Sequence, residues 1–164
     1  MSGLAARDKD QTMHPPIVRP ARKRDLTEIR ALVQALSAFH GDRATITLSG
    51  LQAQFFDGGP ARAFLAESGD RIVGYAAIMP HRRIHTGALT CDVQHLYVVE
   101  THRGRGIGKA LLAAAQEHAA KAGAFRLTIG TDPANVAAQA AYRALGWTEI
   151  TGAGPRFEWP ITPG

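Results

Sequence analysis

Cysteine is almost absent from this chain of 164 residues, and the single one, Cys91, rules out an intramolecular disulfide and a cysteine-built metal knuckle. Nothing near Cys91 in the sequence marks it as an activated nucleophile, so an inert strand thiol is expected. No apolar run approaches the ~20 residues of a membrane span, and Met1-Ser2-Gly3-Leu4 lacks the basic-then-apolar layout of a signal peptide. The expectation is cytoplasmic residence with no membrane contact. A histidine metal site is rejected as well. His81 and His85 are four apart, but Pro80 and Arg82-Arg83 argue for a loop, and no carboxylate or Cys stands at ligand spacing. There is no internal repeat.

Lys and Arg number 19 against 14 Asp and Glu, a net charge of +5. Arg19, Arg22, Lys23, Arg24 and Arg30 cluster near the N-terminus, and Arg103, Arg105 and Lys109 form a second group. A basic surface invites a nucleic-acid reading. No helix-turn-helix, zinc module or aromatic-rich platform accompanies the charge, so nucleic acid is not the expected partner. At 45% hydrophobic content the length suits one domain, which should bury roughly 68–70% of its unfolded surface. That domain is assigned to residues 17–164. Residues 1–16 are polar, include Pro15-Pro16, and are expected to form a disordered tail.

The patterning predicts a mixed α/β sheet flanked by helices. Ile17-Val18-Arg19 suggests a first strand. Asp25 with Glu28 forms a capping box, and Ile29, Leu32, Val33, Leu36 and Phe39 then recur at helical spacing until Gly41. A short helix is expected from Ser49 to Phe56. A hairpin follows, with Ala63–Glu67 and Ile72–Ile78 as its strands. Pro80–Gly87 reads as a charged loop, Ala88–Val99 as a strand and Phe125–Ile129 as another. Trp147–Ile150 and Arg156–Trp159 are expected to close the sheet as antiparallel strands.

The most informative stretch is Arg103-Gly104-Arg105-Gly106-Ile107-Gly108-Lys109, set between the strand ending at Val99 and the helical run that starts at Ala110. Glycines there let successive amides converge on phosphate oxygens at the positive end of a helix. Two familiar phosphate loops do not fit. A Walker loop needs Gly at position 103 and a hydroxyl at 110, and the dinucleotide fingerprint needs Gly at 109. Some thirty residues on, Asp132 to Trp147 reads as one capped helix, with Asp132 as N-cap, Pro133 as first residue and Gly146 as terminator. Asn135, Ala138 and Tyr142 share a face.

Together these two motifs resemble the GNAT superfamily of acetyl-CoA-dependent N-acetyltransferases. Arg103-x-x-Gly106-x-Gly108 is similar to its pyrophosphate motif, and Asn135-x-x-Ala138-x-x-x-Tyr142-x-x-x-Gly146-Trp147 to its second cofactor helix. The resemblance runs from about Ile17 to Trp159. It implies a mostly antiparallel central sheet with a splayed parallel strand pair that holds the cofactor. It also implies acetyl-CoA as co-substrate, bound by Leu96, Tyr97 and Val98 along its pantetheine arm, by Arg103, Gly104, Arg105, Gly106, Ile107, Gly108 and Lys109 at the diphosphate, and by Asn135 and Tyr142.

The reaction that the resemblance implies is acetyl transfer to a primary amine by direct attack within a ternary complex. This needs a neutral amine, a stabilised oxyanion and a proton for the departing thiolate. By family analogy Tyr142 supplies the proton and the Val98 amide holds the oxyanion. Asp92 occupies the base position of the histone-acetylating branch; Gln94 stands where polyamine acetyltransferases carry theirs, which argues against that activity. Strand alternation places Asp92 and Gln94 on one face and His95 on the other unless a bulge intervenes. By the family analogy Asp92 is the expected base, with His95 or an ordered water as alternatives. The expected acceptor is a small-molecule or amino-acid-like amine, with protein amines and a homodimer both left open. His81, Arg82, Arg83 and His85 would line its entrance and favour an acidic portion. A non-catalytic acyl-CoA sensor of the same fold is the competing reading.

Overall fold

Alternating apolar residues build a five-stranded sheet in the computed structural model, which describes residues 15–152 together with 157 and 160. The strands are β1 (Ile17–Pro20), β2 (Arg62–Ser68), β3 (Arg71–Arg82), β4 (Leu89–Val98) and β5 (Arg126–Ile129), arranged side by side in chain order. The first three pairings are antiparallel and β4–β5 is parallel. A parallel pair needs a long crossover, and helix α3 (Ile107–Lys121) supplies it. Helices α1 (Leu26–Phe39) and α2 (Leu48–Phe55) lie between β1 and β2 in the chain. Contacts divide the chain after Gly130, and α4 (Val136–Ala144) belongs to the second unit. The sheet is mixed and mostly antiparallel, as expected.

The two sheet faces are covered by different helices. Ile29, Leu32, Val33 and Leu36 of α1 are buried in one cluster with Leu51 and Phe55 of α2 and with Leu65, Tyr75 and Ala77 of the sheet. The expected stripe ends one residue early. Phe39 is 59% exposed, because the last turn of α1 runs past the sheet. On the other face Ile107, Leu111, Leu112, Ala115 and Ala119 of α3 are buried. A Cβ added at Gly74 would come within 3.3 Å of Leu111 Cδ1 and 2.9 Å of the Tyr97 carbonyl oxygen. Glycine on β3 thus lets the start of α3 approach the sheet.

Four local expectations need correction. Asp25 does not cap α1 with its side chain. Its carboxylate instead accepts from Arg19 Nη1 and Nη2 at 2.7 and 2.9 Å and from the Arg22 amide at 2.7 Å. The charged segment after Met79 is not all loop, because β3 continues through Arg82 and His81 pairs with Thr90. The last helix begins at Val136, not at Pro133. Asp132 accepts from the Ala134 amide at 2.7 Å and forms a turn, while Asn135 accepts from Ala138 at 3.1 Å and is the cap. Trp147–Ile150 is not a strand: β-prone residue types do not make one by themselves. Arg156, Glu158 and Trp159 lie outside the described residues.

The Asp25 carboxylate is 5% exposed, and Arg19 also donates through Nε to Glu67 at 2.6 Å. Hydrogen bonds from Arg19 hold the Asp25 carboxyl below the usual range against the opposing effect of burial. Removing one partner strands a buried charge, so Asp25→Ala should cost about 3–5 kcal/mol in chemical denaturation. Because the folded value is depressed, this stabilisation is complete above the unfolded value of about 3.9 and is lost as pH falls through the folded one. Stability measured between pH 6 and pH 2 should fall less steeply at the acid end in Asp25→Asn.

Candidate functional site

The glycine run folds into a cradle of backbone amides at the N-terminus of α3. Gly104 and Gly106 have φ of 72° and 77°, a left-handed conformation that residues with a Cβ avoid. Gly106 is the N-cap and has no side-chain partner. Arg103 N–H donates to Glu100 O at 3.2 Å and Ala110 N–H to Gly106 O at 3.0 Å. Between them, from Gly104 to Lys109, no backbone amide has an acceptor among the described residues. A helix start leaves four such groups, and here the preceding loop adds more. Arg105 and Lys109 are exposed beside them.

Gly108 makes a separate point. Its φ is not positive, and a Cβ built there would meet nothing within 4 Å. The protein's own packing therefore does not require glycine in this first helical turn, where it costs roughly 0.5–1 kcal/mol relative to Ala. Open space in front of partnerless amides and beside two cations fits a diphosphate.

The edge of β4 next to this cradle is open. Strand β5 pairs only with Thr90 to Val93, whereas β4 runs on for five residues to Val98. The Val99 amide donates to Val73 O at 2.9 Å, and Val98, Tyr97, Leu96 and His95 lie opposite Gly74, Tyr75, Ala76 and Ala77. Antiparallel ladders alternate bonded and non-bonded pairs, so the N–H and C=O of Leu96 and Val98 turn away from β3 toward the open edge. Of these groups, the Val98 carbonyl accepts from Arg103 Nε at 2.9 Å. The Arg103 guanidinium lies 5.1 Å from the Phe39 ring centroid and 5.6 Å from that of Tyr97. Its side chain thus clamps the glycine loop to the end of α1 and to β4.

A bulge decides which side chains of β4 share a face. Ala77 lies opposite His95 and Ile78 opposite Val93, so Gln94 is the extra residue. Asp92 lies opposite Met79 and His95 opposite Ala77, which puts both on the face that carries Tyr75 and packs on α1 and α2. Asp92 is fully engaged: Oδ1 accepts from Thr128 Oγ1 at 2.6 Å and Oδ2 from Gln94 Nε2 at 2.5 Å. His95 Nδ1 lies 2.6 Å from the hydroxyl of Tyr75. Tyr75 is completely buried, and burial pushes its phenol up. Burial pushes the His95 imidazole down, and the charge of His40 acts in the same direction. Tyr75 was not legible as a site residue, since its partner lies twenty positions away.

His81, Arg82, Arg83 and His85 belong to the opposite end of β4. His81 Nε2 is 2.6 Å from Thr90 Oγ1, and at about 3.3 Å per residue the first residue of β4, Leu89, is ~30 Å from Val98. These residues do not stand at an entrance beside Val98.

In the second unit, Asn135, Ala138 and Tyr142 are partly buried while Val136, Ala137, Ala140 and Ala141 are exposed, so the predicted shared face exists. Gly146 N–H donates to Arg143 O and Trp147 N–H to Tyr142 O, each at 3.0 Å. This pair of bonds is a Schellman motif. Its accompanying apolar contact is Tyr142 on Trp147, ring centroids 6.2 Å apart, which limits the phenol's rotamers. Burial pushes the Tyr142 hydroxyl up, so it stays protonated near neutrality. Among the described residues no three His, Cys, Asp or Glu side chains converge as metal ligands.

Comparison with known proteins agrees with this arrangement. Residues 29–147 match the acetyltransferase (GNAT) family profile. The chain is 30% identical over 122 residues to N-acetyltransferase 8B of Rattus norvegicus, covering 74% of this chain and 53% of that protein. It is 33% identical over 123 residues to mycothiol acetyltransferase of Thermobispora bispora, covering 70% and 40%. The chain spans between 32% and 53% of the length of the curated relatives it matches. In fold it resembles an aminoglycoside acetyltransferase from an uncultured soil metagenomic sample, solved with sisomicin. The TM-score is 0.77 at 17% identity, over 90% of this chain and 97% of that one. The sequence match takes in the glycine cradle, the open strand and the tyrosine helix, and the chain belongs to the acetyltransferase (GNAT) family.

Proposed function

We propose that the protein is an acetyl-CoA-dependent N-acetyltransferase that acetylates a small primary amine by direct attack. The observation that carries this reading is the unbroken series of amides from Gly104 to Lys109 that have no acceptor among the described residues, which suits the diphosphate of coenzyme A. Bound acetyl-CoA supplies an activated acyl carbon and a thiolate leaving group. Leu96 and Val98 offer outward backbone groups to the pantetheine arm in the manner of an added strand. The Val98 N–H meets the negative charge that develops on the acyl oxygen. Asn135 contributes to cofactor binding through the amide nitrogen that its capping role leaves free. Arg103, with its side chain committed to Val98, serves the anion through its position at the head of the loop, while Arg105 and Lys109 bring mobile charge. Tyr142 donates the proton to the departing thiolate, and the face of β4 that carries Asp92 and His95 receives the amine.

The relatives support a small acceptor, since their names include mycothiol and aminoglycoside acetyltransferases. The direct test is a panel of amines, amino sugars and amino acids incubated with acetyl-CoA, with release of free thiol as the readout. Thiol release that depends on one acceptor class supports the enzyme. Saturable acetyl-CoA binding with no transfer across the panel would make the protein a sensor.

Two substitutions probe the parts separately. Gly108→Glu places a carboxylate in the first turn of α3, where the helix dipole favours it by about 0.3–1 kcal/mol. Thermal stability should therefore hold or rise while calorimetric coenzyme A affinity drops at least ~100-fold, from charge and bulk against the diphosphate. Unchanged affinity would remove the cradle from cofactor binding. Tyr142→Phe should lower kcat by roughly 10²–10⁴-fold, the range for a lost general acid, with the KM for acetyl-CoA nearly unchanged. An unaltered kcat would take Tyr142 out of the acid role.

A further inference from the structure

The proton inventory of the Tyr75–His95 pair has a consequence for the acceptor that goes beyond, and rests on, the acetyltransferase reading. The Tyr75 hydroxyl is completely buried, and His95 Nδ1 at 2.6 Å is its one hydrogen-bond partner among the described residues. A neutral imidazole carries its proton on either Nδ1 or Nε2. If Nδ1 held it, the ring would donate to the Tyr75 oxygen and the buried Tyr75 O–H would have no acceptor among the described residues. Leaving a buried donor unpaired disfavours that tautomer by roughly 5- to 150-fold. Tyr75 therefore donates to Nδ1, and the proton of His95 sits on Nε2. Burial, which disfavours the charged form, keeps the ring neutral near pH 7. Tyr75 from β3, His40 at the end of α1, and Asp92 and Tyr97 along β4 are the titratable groups around it.

A ring in this state has no lone pair on Nε2 with which to take a proton from an amine. It offers an N–H. His95 is partly exposed, stands on the amine-receiving face by virtue of the bulge, and is three residues from Val98. We propose that His95 is a specificity residue rather than the general base: its Nε2–H, fixed by Tyr75 as the positioning residue, selects an acceptor amine that carries an oxygen lone pair close to its nitrogen, as in an amino alcohol or an amino acid. An amine with only hydrocarbon beside its nitrogen would leave this half-buried donor without a partner, and such mismatches are strongly discriminated.

Two independent measurements test this. Long-range proton–nitrogen NMR spectra of histidine-labelled protein between pH 6 and 8 should show His95 protonated on Nε2 and bare on Nδ1. In Tyr75→Phe, which removes only a hydroxyl, the two forms should mix. A wild-type spectrum with the proton on Nδ1 overturns the proposal without touching the acetyltransferase reading. The second measurement compares kcat/KM for matched acceptors: 2-aminocyclohexanol with cyclohexylamine, and phenylalanine with phenethylamine. Wild type should prefer the oxygen-bearing member of at least one pair by tenfold or more, and the pair that responds tells a hydroxyl from a carboxylate. His95→Gln, which keeps an N–H near the Nε2 position, should retain the preference. His95→Leu should lose it through a higher acceptor KM at similar kcat. A preference that survives His95→Leu, no preference in either pair, or an equal loss of kcat in both variants overturns the proposal. If no amine of the wider panel is acetylated, the acetyltransferase reading falls, and the acceptor role of His95 falls with it, whatever the spectrum shows.

Discussion

Among the described residues the backbone of β4 has a neighbour on one edge only after Val93, and the first turn of α3 lies close to that gap. Strand β5 stops pairing at Ile129, opposite Val93, while β4 continues to Val98. A sheet that ends a pairing partway leaves groups that must find water, side chains or a ligand. Arg103 Nε satisfies the Val98 carbonyl, and the outward groups of Leu96 and the Val98 amide are left for something else. Gly74 lies opposite Val98, and its missing side chain admits Ile107 and Leu111 of α3. The same residue pair therefore sets the open edge and brings the first turn of α3 to its level.

At one of the three glycines of the loop, conformation and packing do not account for the residue type. At Gly104 and Gly106 the left-handed backbone explains the residue type by conformation alone. Gly108 has no such excuse, because its backbone is ordinary and its surroundings are open. A helix start with a better helix former there would be more stable by up to about 1 kcal/mol. A site that gives up helix stability for clearance in front of its amides is one in which a ligand approaches the backbone closely. This is a stronger indication than the count of glycines, which would suit any tight turn.

Local features were legible in the sequence and distant ones were not. The apolar stripe of α1, the glycine turn and the Asn135–Tyr142 face each follow from spacing within a few residues, and each exists in the structure. Asp25 had the composition of a cap, yet Arg19 captures its carboxylate; a bidentate guanidinium in a buried place outcompetes one backbone amide. The β4 bulge decides which side chains share a face, but nothing in Val93-Gln94-His95 announces it, because a bulge is a property of two strands and not of one. Alternation read through that point puts His95 on the wrong side. Trp147–Ile150 shows the same limit from the other direction: its residue types suit a strand, and residue type alone does not make one.

A buried and a partly buried phenol, both with raised values, differ in where their protons are held. Tyr75 and Tyr142 are both protonated near neutrality, since burial disfavours the phenolate in each. The Tyr75 proton is committed to His95 at 2.6 Å, and losing it would strand a phenolate in the α1–α2 core. The Tyr142 hydroxyl has no acceptor among the described residues, and its ring is held by Trp147 and by the Schellman bonds at the end of α4. A general acid must have a proton to give and a conjugate base that can be tolerated at the moment of transfer. By that criterion Tyr142 suits the acid role proposed for it, whereas the Tyr75 proton stays with His95.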